Sequence, residues 1–238
     1  MQIVVSIRNS RPLRVPQNYN YRMMNSIYEV LEEDEGYRQF LLGLENTPED
    51  GRYKYFTFSP LKGGYRMEND VMIFGDAFYF EVRTPSREFG AVIKDALFNR
   101  GTIDLFDSTL EVRMVKVYDR HISSKTVEMR SVTPVVSCEL LSDGKYEYFS
   151  PDHLLFRKMI NDDLHEKFVG AFGYEPPSEL AIDSLIKPKK VMSKIVENWV
   201  TGYDCRLRIS THPQVLDFLY HVGIGNRNAL GFGMFEPI

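Results

Sequence analysis

The sequence predicts an α+β fold made of two tandem ferredoxin-like βαββαβ units. Each half of the 238-residue chain shows the order strand, helix, strand, strand, helix, strand, and this order suits an antiparallel sheet with helices on one face. An apolar fraction of 43% supports a large core. A polar stretch at 119–128 without apolar periodicity separates the halves. We therefore expect domains at residues 1–120 and 126–238.

The first half begins with an alternating strand, Gln2 to Arg8. A helix follows from Tyr21, capped by Asn18 or Asn20, because apolar residues then recur at three- and four-residue steps: Met24, Ile27, Tyr28 and Leu31. The remaining elements are a strand at 52–60, a hairpin of 70–75 with 77–83 about Gly75-Asp76, a helix at 86–99 and a strand at 108–119.

The second half repeats this order without visible sequence identity to the first. Its predicted elements are a strand at 129–140, a helix at 151–173, strands at 184–196 and 198–210, a helix at 212–223 and a short terminal strand from Ala229 to Phe235.

Composition and charge exclude several classes of protein. A net charge of −4 gives no global basic field, so a polyanion would need a local patch. Neither the two cysteines nor the five histidines show metal-like spacing, so we predict no metal and no cofactor. The apolar runs are too short to cross a bilayer and the first residues do not resemble a secretory signal. We expect a cytoplasmic protein that does not insert in membranes.

One candidate basic patch lies in the predicted hairpin of the second half. The segment LIKPKKVMSK carries four lysines, Lys187, Lys189, Lys190 and Lys194. They could bind a polyanion, or they could be the solvated lysines that protect an edge strand from aggregation.

Near the C-terminus, four glycines follow the pattern Gly-x-Gly-x5-Gly-x-Gly: Gly223, Gly225, Gly231 and Gly233. A phosphate-binding loop of the nucleotide-binding kind opens a helix, but too few residues follow this one for a helix to form. The glycines instead allow close approach of backbone to a ligand or to another segment, with Asn226, Arg227 and Asn228 at the tip. A purely structural loop with positive φ angles is the alternative.

The glycine loop VGIGNRNALGFGMF, the lysine segment and the stretch VPQNYNYRMMNSIYEVL together carry a resemblance that spans almost the whole chain. They resemble the repeat-associated (RAMP) proteins of CRISPR systems, and among these the endoribonuclease family that processes CRISPR precursor transcripts. The resemblance implies binding of CRISPR repeat RNA and one metal-independent cut. The 2′-OH of RNA attacks the adjacent phosphate and leaves a 2′,3′-cyclic phosphate and a 5′-OH.

The resemblance also implies site residues. Tyr28 matches the family's catalytic tyrosine, and Lys54 is the nearest match to its lysine. Arg22 could hold a phosphate beside them. The family's histidine has no counterpart, because Leu42 stands at about its place. Without the resemblance, Tyr28 would be interpreted as a core residue with its hydroxyl at the rim.

Two other functions stay open. The missing histidine favours a non-catalytic subunit that holds repeat or guide RNA within a CRISPR interference complex. The third alternative is a ferredoxin-like interaction protein that binds no RNA. Association with other subunits and formation of a homodimer are also open.

Overall fold

The structure, a computed structural model, describes residues 1–44 and 55–238. In the first half these residues form helices α1 (Asn20–Leu31), α2 (Glu35–Leu44) and α3 (Arg87–Arg100), with strands β1 (Gln2–Arg8), β2 (Leu13–Pro16), β3 (Thr57–Phe58), β4 (Tyr65–Glu68), β5 (Val71–Phe74), β6 (Ala77–Arg83), β7 (Thr102–Leu105) and β8 (Ser108–Tyr118). The second half adds helices α4 (Leu154–Phe172) and α5 (Pro213–Val222) and strands β9 (Thr126–Ser131), β10 (Cys138–Leu140), β11 (Tyr146–Tyr148), β12 (Ala181–Ile195), β13 (Asn198–Ser210) and β14 (Phe235–Pro237).

The main sheet of the first half has the strand order β3-β6-β1-β8-β7, with every pair antiparallel. Alternate residues of β1 point to one face, where Ile3, Val5 and Ile7 are buried against α1 and α3. Apolar side chains of both helices, among them Ile27 and Phe89, fill the same core. The period-2 pattern of the strand and the 3.6-residue pattern of the helices therefore meet on one side of the sheet.

The sheet of the second half has the order β12-β13-β9-β14. Taken position by position, β12, β13, β9 and β14 correspond to β3, β6, β1 and β8 of the first half. Both halves therefore have the same strand arrangement. Leu207 and Ile209 of β13 are buried against α4 and α5, beside Ile160 and Leu219. The predicted fold class, two ferredoxin-like units, is confirmed.

Several predicted elements form close to their expected bounds: β1, α1, α3, β8, α4, β12, β13 and α5. The cap of α1 was predicted wrongly. Tyr19 is the N-cap and makes no side-chain hydrogen bond to the helix, while the side-chain amide of Asn20 donates to the carbonyl oxygen of Leu230. By contrast, α3 is capped by Ser86, whose hydroxyl accepts a hydrogen bond from the Phe89 N–H.

The predicted hairpin of residues 70–75 with 77–83 is wrong. β5 pairs with β4 and β2 in a separate three-stranded sheet, while β6 pairs with β1 and β3. The turn between β4 and β5 explains this, because Asn69 and Asp70 both have positive φ, at 46° and 62°. Two such residues form the type of turn that suits a tight hairpin, so β5 folds back on the strand before it.

Three further predictions need correction in extent. The strand predicted at 129–140 divides into β9 and β10, because Pro134 cannot donate to a ladder. The strand predicted at 229–235 is a 3₁₀ turn, Asn228–Leu230, and the strand begins only at Phe235. Of the strand predicted at 52–60, the described part contains only β3. Sequence reasoning did not predict α2, β2, β4, β7 or β11.

Candidate functional site

The glycine-rich loop, residues 223–233, follows α5. Its four glycines have positive φ angles of 94°, 73°, 78° and 72°, at Gly223, Gly225, Gly231 and Gly233. A Cβ at Gly225 would stand 2.2 Å from the carbonyl oxygen of Val136, and a Cβ at Gly233 would stand 2.1 Å from that of Ile224. The sequence predicted a close approach to a ligand or to another segment, and the structure shows the approach to other segments of the protein together with the positive φ angles of the structural alternative.

The loop also joins the two halves of the molecule. The amide of Asn20, the first residue of α1, donates to the carbonyl oxygen of Leu230 at 2.7 Å. The hydroxyl of Thr57 in β3 donates to the carbonyl oxygen of Phe232 at 3.1 Å. Both donors belong to the first half and both acceptors to the loop, so the loop fixes the start of α1 and the edge strand β3 against the second half.

A buried lysine of α4 binds the glycine-rich loop through hydrogen bonds. Lys167 of α4 is only 5% exposed, and its ammonium group donates to the carbonyl oxygen of Gly225 at 3.0 Å and to the side-chain oxygen of Asn228 at 2.6 Å. The ammonium group also forms an ion pair with Asp163, one turn earlier on the helix. The other oxygen of that carboxylate accepts from the Asn226 amide at 3.1 Å. Paired charges and hydrogen bonds are what permit burial of such a cation.

The three residues at the loop tip differ in their burial and in their contacts. Asn228 is buried, and its amide also donates to the carbonyl oxygen of Phe232 at 3.0 Å. Asn226 accepts from the Cys138 N–H at 2.9 Å. Arg227 lies over the ring of Tyr146, 4.4 Å from the ring centroid. The two amides thus shape the loop itself, and binding of RNA by Asn226, Arg227 and Asn228 stays a prediction.

The lysine hairpin, residues 181–210, consists of β12, β13 and their turn. Lys190 pairs with Tyr203 and Lys194 with Trp199, so these two lysines share one face of the hairpin. Lys189 pairs with Asp204 and lies on the opposite face. For Lys187 the structure describes the backbone within β12 but not the side chain. The three lysines whose side chains are described are thus divided between two faces.

The hairpin packs directly on the glycine-rich loop. Ile195 and Val200, near the hairpin turn, form a small buried cluster with Val136 and with Phe232 of the loop. The two segments that the sequence singled out separately are therefore neighbours, and they form one candidate site.

The predicted catalytic residues lie on the first half. Tyr28 of α1 is 5% exposed, and its ring meets that of Phe56 edge-on at 5.6 Å. Lys54 lies outside the described residues, two positions before Phe56 in the sequence. Arg22 is exposed and forms an ion pair of 2.8 Å with Asp107. Burial of the Tyr28 ring agrees with a core position, and its catalytic role stays a prediction.

A second buried cation, which the sequence did not indicate as special, joins the two sheets. Arg83 of β6 is fully buried, donates to the carbonyl oxygen of Phe235 at 2.7 Å and forms ion pairs with Glu81 and Glu236. Its guanidinium carbon lies 4.0 Å from the ring centroid of Tyr220. Because Phe235 and Glu236 belong to β14, this cluster is a second tie between the halves.

Beside it, two histidines have opposite environments. Burial lowers the pKa of His221 from 6.5 to about 4, although its ring lies 2.8 Å from the carbonyl oxygen of Asp217. A hydrogen bond to the Asp217 carboxylate raises the pKa of His121, whose ring lies 5.9 Å from that of His221. Burial also lowers the pKa of the Met1 amino group to about 6.

Sequence reasoning missed Lys167, although a signal was present. Ile160, Leu164 and Phe168 mark the buried face of α4, and Lys167 falls on the same face. A charged residue on the apolar face of a helix indicates a buried partner.

Within residues 1–44 and 55–238 no group of metal-ligating side chains is suited to an ion. Over those ranges, too, no helix has the length and apolarity needed to cross a bilayer.

Comparison with known proteins matches residues 114–237 to the family described as CRISPR associated protein Cas6, C-terminal. The CRISPR-associated endoribonuclease Cas6 of Pyrococcus furiosus is 26% identical over 232 residues, which cover 95% of this chain and 84% of that protein. A solved structure of a Cas6-related gene product from Pyrococcus furiosus superimposes with a TM-score of 0.85 at 20% identity, covering 100% and 98% of the two chains. Another, described as an RAMP protein binding different RNA substrates, gives 0.82 at 20% identity and covers 100% and 99%.

Proposed function

The chain belongs to the Cas6 family of CRISPR-associated proteins, and from that premise we propose that it binds RNA transcribed from CRISPR repeats and cuts the precursor transcript within each repeat. The observation that carries the proposal is the contact between the lysine hairpin and the glycine-rich loop. In a protein of net charge −4, that contact fixes the lysine-bearing hairpin to the loop that joins the two halves, with Lys190 and Lys194 on the hairpin face that points away from the loop. A local cationic surface is what a polyanion requires of such a protein.

The proposed reaction uses the RNA's own nucleophile. The 2′-oxygen forms a bond to the adjacent phosphorus as its proton is removed, and the bond from phosphorus to the 5′-oxygen breaks as that oxygen takes up a proton. The products are a 2′,3′-cyclic phosphate and a 5′-OH. The protein has to align the three atoms and stabilise charge on the phosphate oxygens, and that chemistry requires no metal ion.

We assign the proton transfer and charge stabilisation to Tyr28 and Lys54, and a phosphate contact to Arg22. The supporting observation is that Phe56, close to Lys54 in sequence, packs against the Tyr28 ring. Unperturbed tyrosine and lysine side chains have pKa values of about 10, so few are deprotonated at neutral pH, and a protonated lysine acts chiefly by stabilising negative charge on the phosphate. Cleavage should therefore be slow and should become faster through the alkaline range. Tyr28→Phe and Lys54→Ala should each lower the rate.

The decisive experiment incubates the protein, with EDTA present, with RNA carrying the CRISPR repeat of its own genome. We expect cleavage that gives a 2′,3′-cyclic phosphate end. A 2′-deoxy substitution at the cut site should abolish cleavage and preserve binding, because it removes the nucleophile alone. Dependence on added Mg²⁺, or cleavage of the 2′-deoxy substrate, would overturn the mechanism.

Two observations favour the alternative of a non-catalytic RNA-binding subunit: no histidine matches the family's, and the Tyr28 ring is buried. Tight binding without any cut in the same experiment would establish that alternative.

We place the protein in the cytoplasm, where precursor transcripts are made. Partnership with other subunits and homodimer formation stay predictions, to be measured by the mass of the purified complex.

A further inference from the structure

One face of the lysine hairpin combines two cations with an exposed indole, a partly buried tyrosine ring and an exposed thioether. Antiparallel partners lie on the same face of a sheet, and three successive pairs point the same way along the two strands. These pairs are Lys190 with Tyr203, Met192 with Thr201, and Lys194 with Trp199. We call this set the hairpin platform.

Trp199 is the most exposed large ring on the hairpin platform, at 57%, and Met192 beside it is 55% exposed. The backbone beneath the indole is nonetheless well fixed. The carbonyl oxygen of Trp199 accepts a hydrogen bond from the Tyr148 hydroxyl at 3.3 Å, and the next residue, Val200, is buried in the cluster with Phe232. An apolar ring is thus presented to solvent on a rigid strand pair held to the glycine-rich loop.

Charge indicates which ligand suits this surface. Single exposed apolar residues are common and need no partner, and a protein partner would favour a broader apolar patch than one indole and one thioether. Here lysines stand on the same face, with Lys190 and Lys194 separated by about 14 Å at 3.4 Å per residue. Single-stranded RNA offers both features that this face would recognise, a chain of phosphates and bases with flat π faces.

We propose that the Trp199 indole is a stacking platform for an unpaired base of the RNA, with Lys194 and Lys190 contacting phosphates on the same strand. The inference rests on the proposed function, which supplies the RNA, and adds to it a residue that positions the strand. Stacking accepts any base, so Trp199 would strengthen binding and set the path of the strand without reading its sequence.

The protein supplies its own probe, because Trp199 is its single tryptophan. Titration with repeat RNA should quench the fluorescence, since a stacked base contacts the indole directly. Inorganic polyphosphate carries the charge without bases, and it should bind the lysines with little quenching. The comparison separates stacking from mere proximity of a polyanion.

Affinity gives the second measurement. Stacking on an aromatic side chain is worth about 1–3 kcal/mol per base, so Trp199→Ala should weaken repeat RNA binding by about 5- to 150-fold. Its salt dependence should stay unchanged, because no phosphate contact is lost. Replacing Lys190 and Lys194 together with alanine should reduce the salt slope by about two phosphate contacts. Trp199→Phe should retain most of the affinity.

Phe98→Ala is the matched control, because Phe98 is also a solvent-facing ring, 78% exposed, on α3 in the other half. It should leave RNA affinity unchanged, and thermal melting will verify that all variants fold. If RNA binds without quenching and Trp199→Ala binds as tightly as the control, the stacking proposal is wrong while the proposed function stands. If repeat RNA does not bind at all, both fail.

Discussion

Replacing Gly225 with alanine tests the packing of the glycine-rich loop most directly. The residue has a φ of 73°, and an added Cβ would lie 2.2 Å from the carbonyl oxygen of Val136 and 2.8 Å from a terminal methyl carbon of Ile160. The methyl group can rotate away. The carbonyl cannot easily move, because Val136 is buried and its oxygen accepts a hydrogen bond from the Asn226 N–H at 2.9 Å.

The expected loss in the free energy of unfolding has two parts, the strain of a left-handed conformation and the steric clash of the added Cβ. The same substitution at a second glycine, which has the strain but not the clash, separates the two parts. Gly173, at the end of α4, has a φ of 76° but no atom within 4 Å of an added Cβ. Gly173→Ala should therefore cost only the left-handed conformation, about 1–2 kcal/mol. Gly225→Ala carries the same strain plus a backbone displacement of more than an ångström, so we expect at least about 3 kcal/mol in total.

Urea unfolding of the wild type and the two variants measures the difference, with equal m-values as the check that the unfolded states match. In thermal melting, 1 kcal/mol corresponds to about 2–4 °C for a protein of this size, so Gly225→Ala should lower the Tm by at least about 6 °C. Equal losses in the two variants would refute the reasoning. The Val136 carbonyl would then be free to retreat, and the loop would not be tightly packed.

Three other predictions concern stability. Lys167→Met should lower the free energy of unfolding in urea by about 3 kcal/mol, because the Asp163 carboxylate loses its buried counter-charge. The control is Lys158→Met, which removes an exposed ion pair on the same helix and should change the free energy of unfolding little. Val196→Gly should raise the Tm slightly, because this exposed hairpin-turn residue is β-branched yet has a φ of 54°; a lower Tm would contradict this. Because the pKa of His221 falls from 6.5 in the unfolded chain to about 4 in the fold, its contribution is complete above pH 6.5 and is lost as pH falls towards 4. His221→Asn should flatten the pH dependence of unfolding in that window, and an unchanged profile would contradict the assignment.

The sequence predicted long periodic elements well and local pairing poorly. In α1, α4 and β13 one face is buried in the core. The apolar residues of that face therefore recur with the period of a helix or a strand, and this period is visible in the sequence. The pairing of β5 depended instead on the turn at Asn69-Asp70, whose positive φ angles were not recognised as a hairpin signal. The division of 129–140 at Pro134 was visible in the sequence but was not used.

The site was predictable in its segments but not in its contacts. The glycine loop and the lysine hairpin were found separately, by composition and spacing. Their contact through Phe232, Ile195 and Val200 joins residues far apart in the chain, which no local pattern reports. The same applies to Asn20, whose amide was expected to cap α1 and instead reaches the glycine-rich loop.

The pattern Gly-x-Gly-x5-Gly-x-Gly records how the two halves are joined. Each glycine is constrained by a different neighbour: the Asn228 side chain at Gly223, the Val136 carbonyl at Gly225, the Phe58 ring at Gly231 and the Ile224 carbonyl at Gly233. Phe58 belongs to β3 of the first half, and the other three neighbours to the second half. A side chain at Gly231 would disturb the join to the first half, and a side chain at any of the other three would disturb the packing of the loop within the second half. Side chains outside the glycines are the ones to test for cleavage and for binding, beginning with Tyr28, Lys54 and the lysine hairpin.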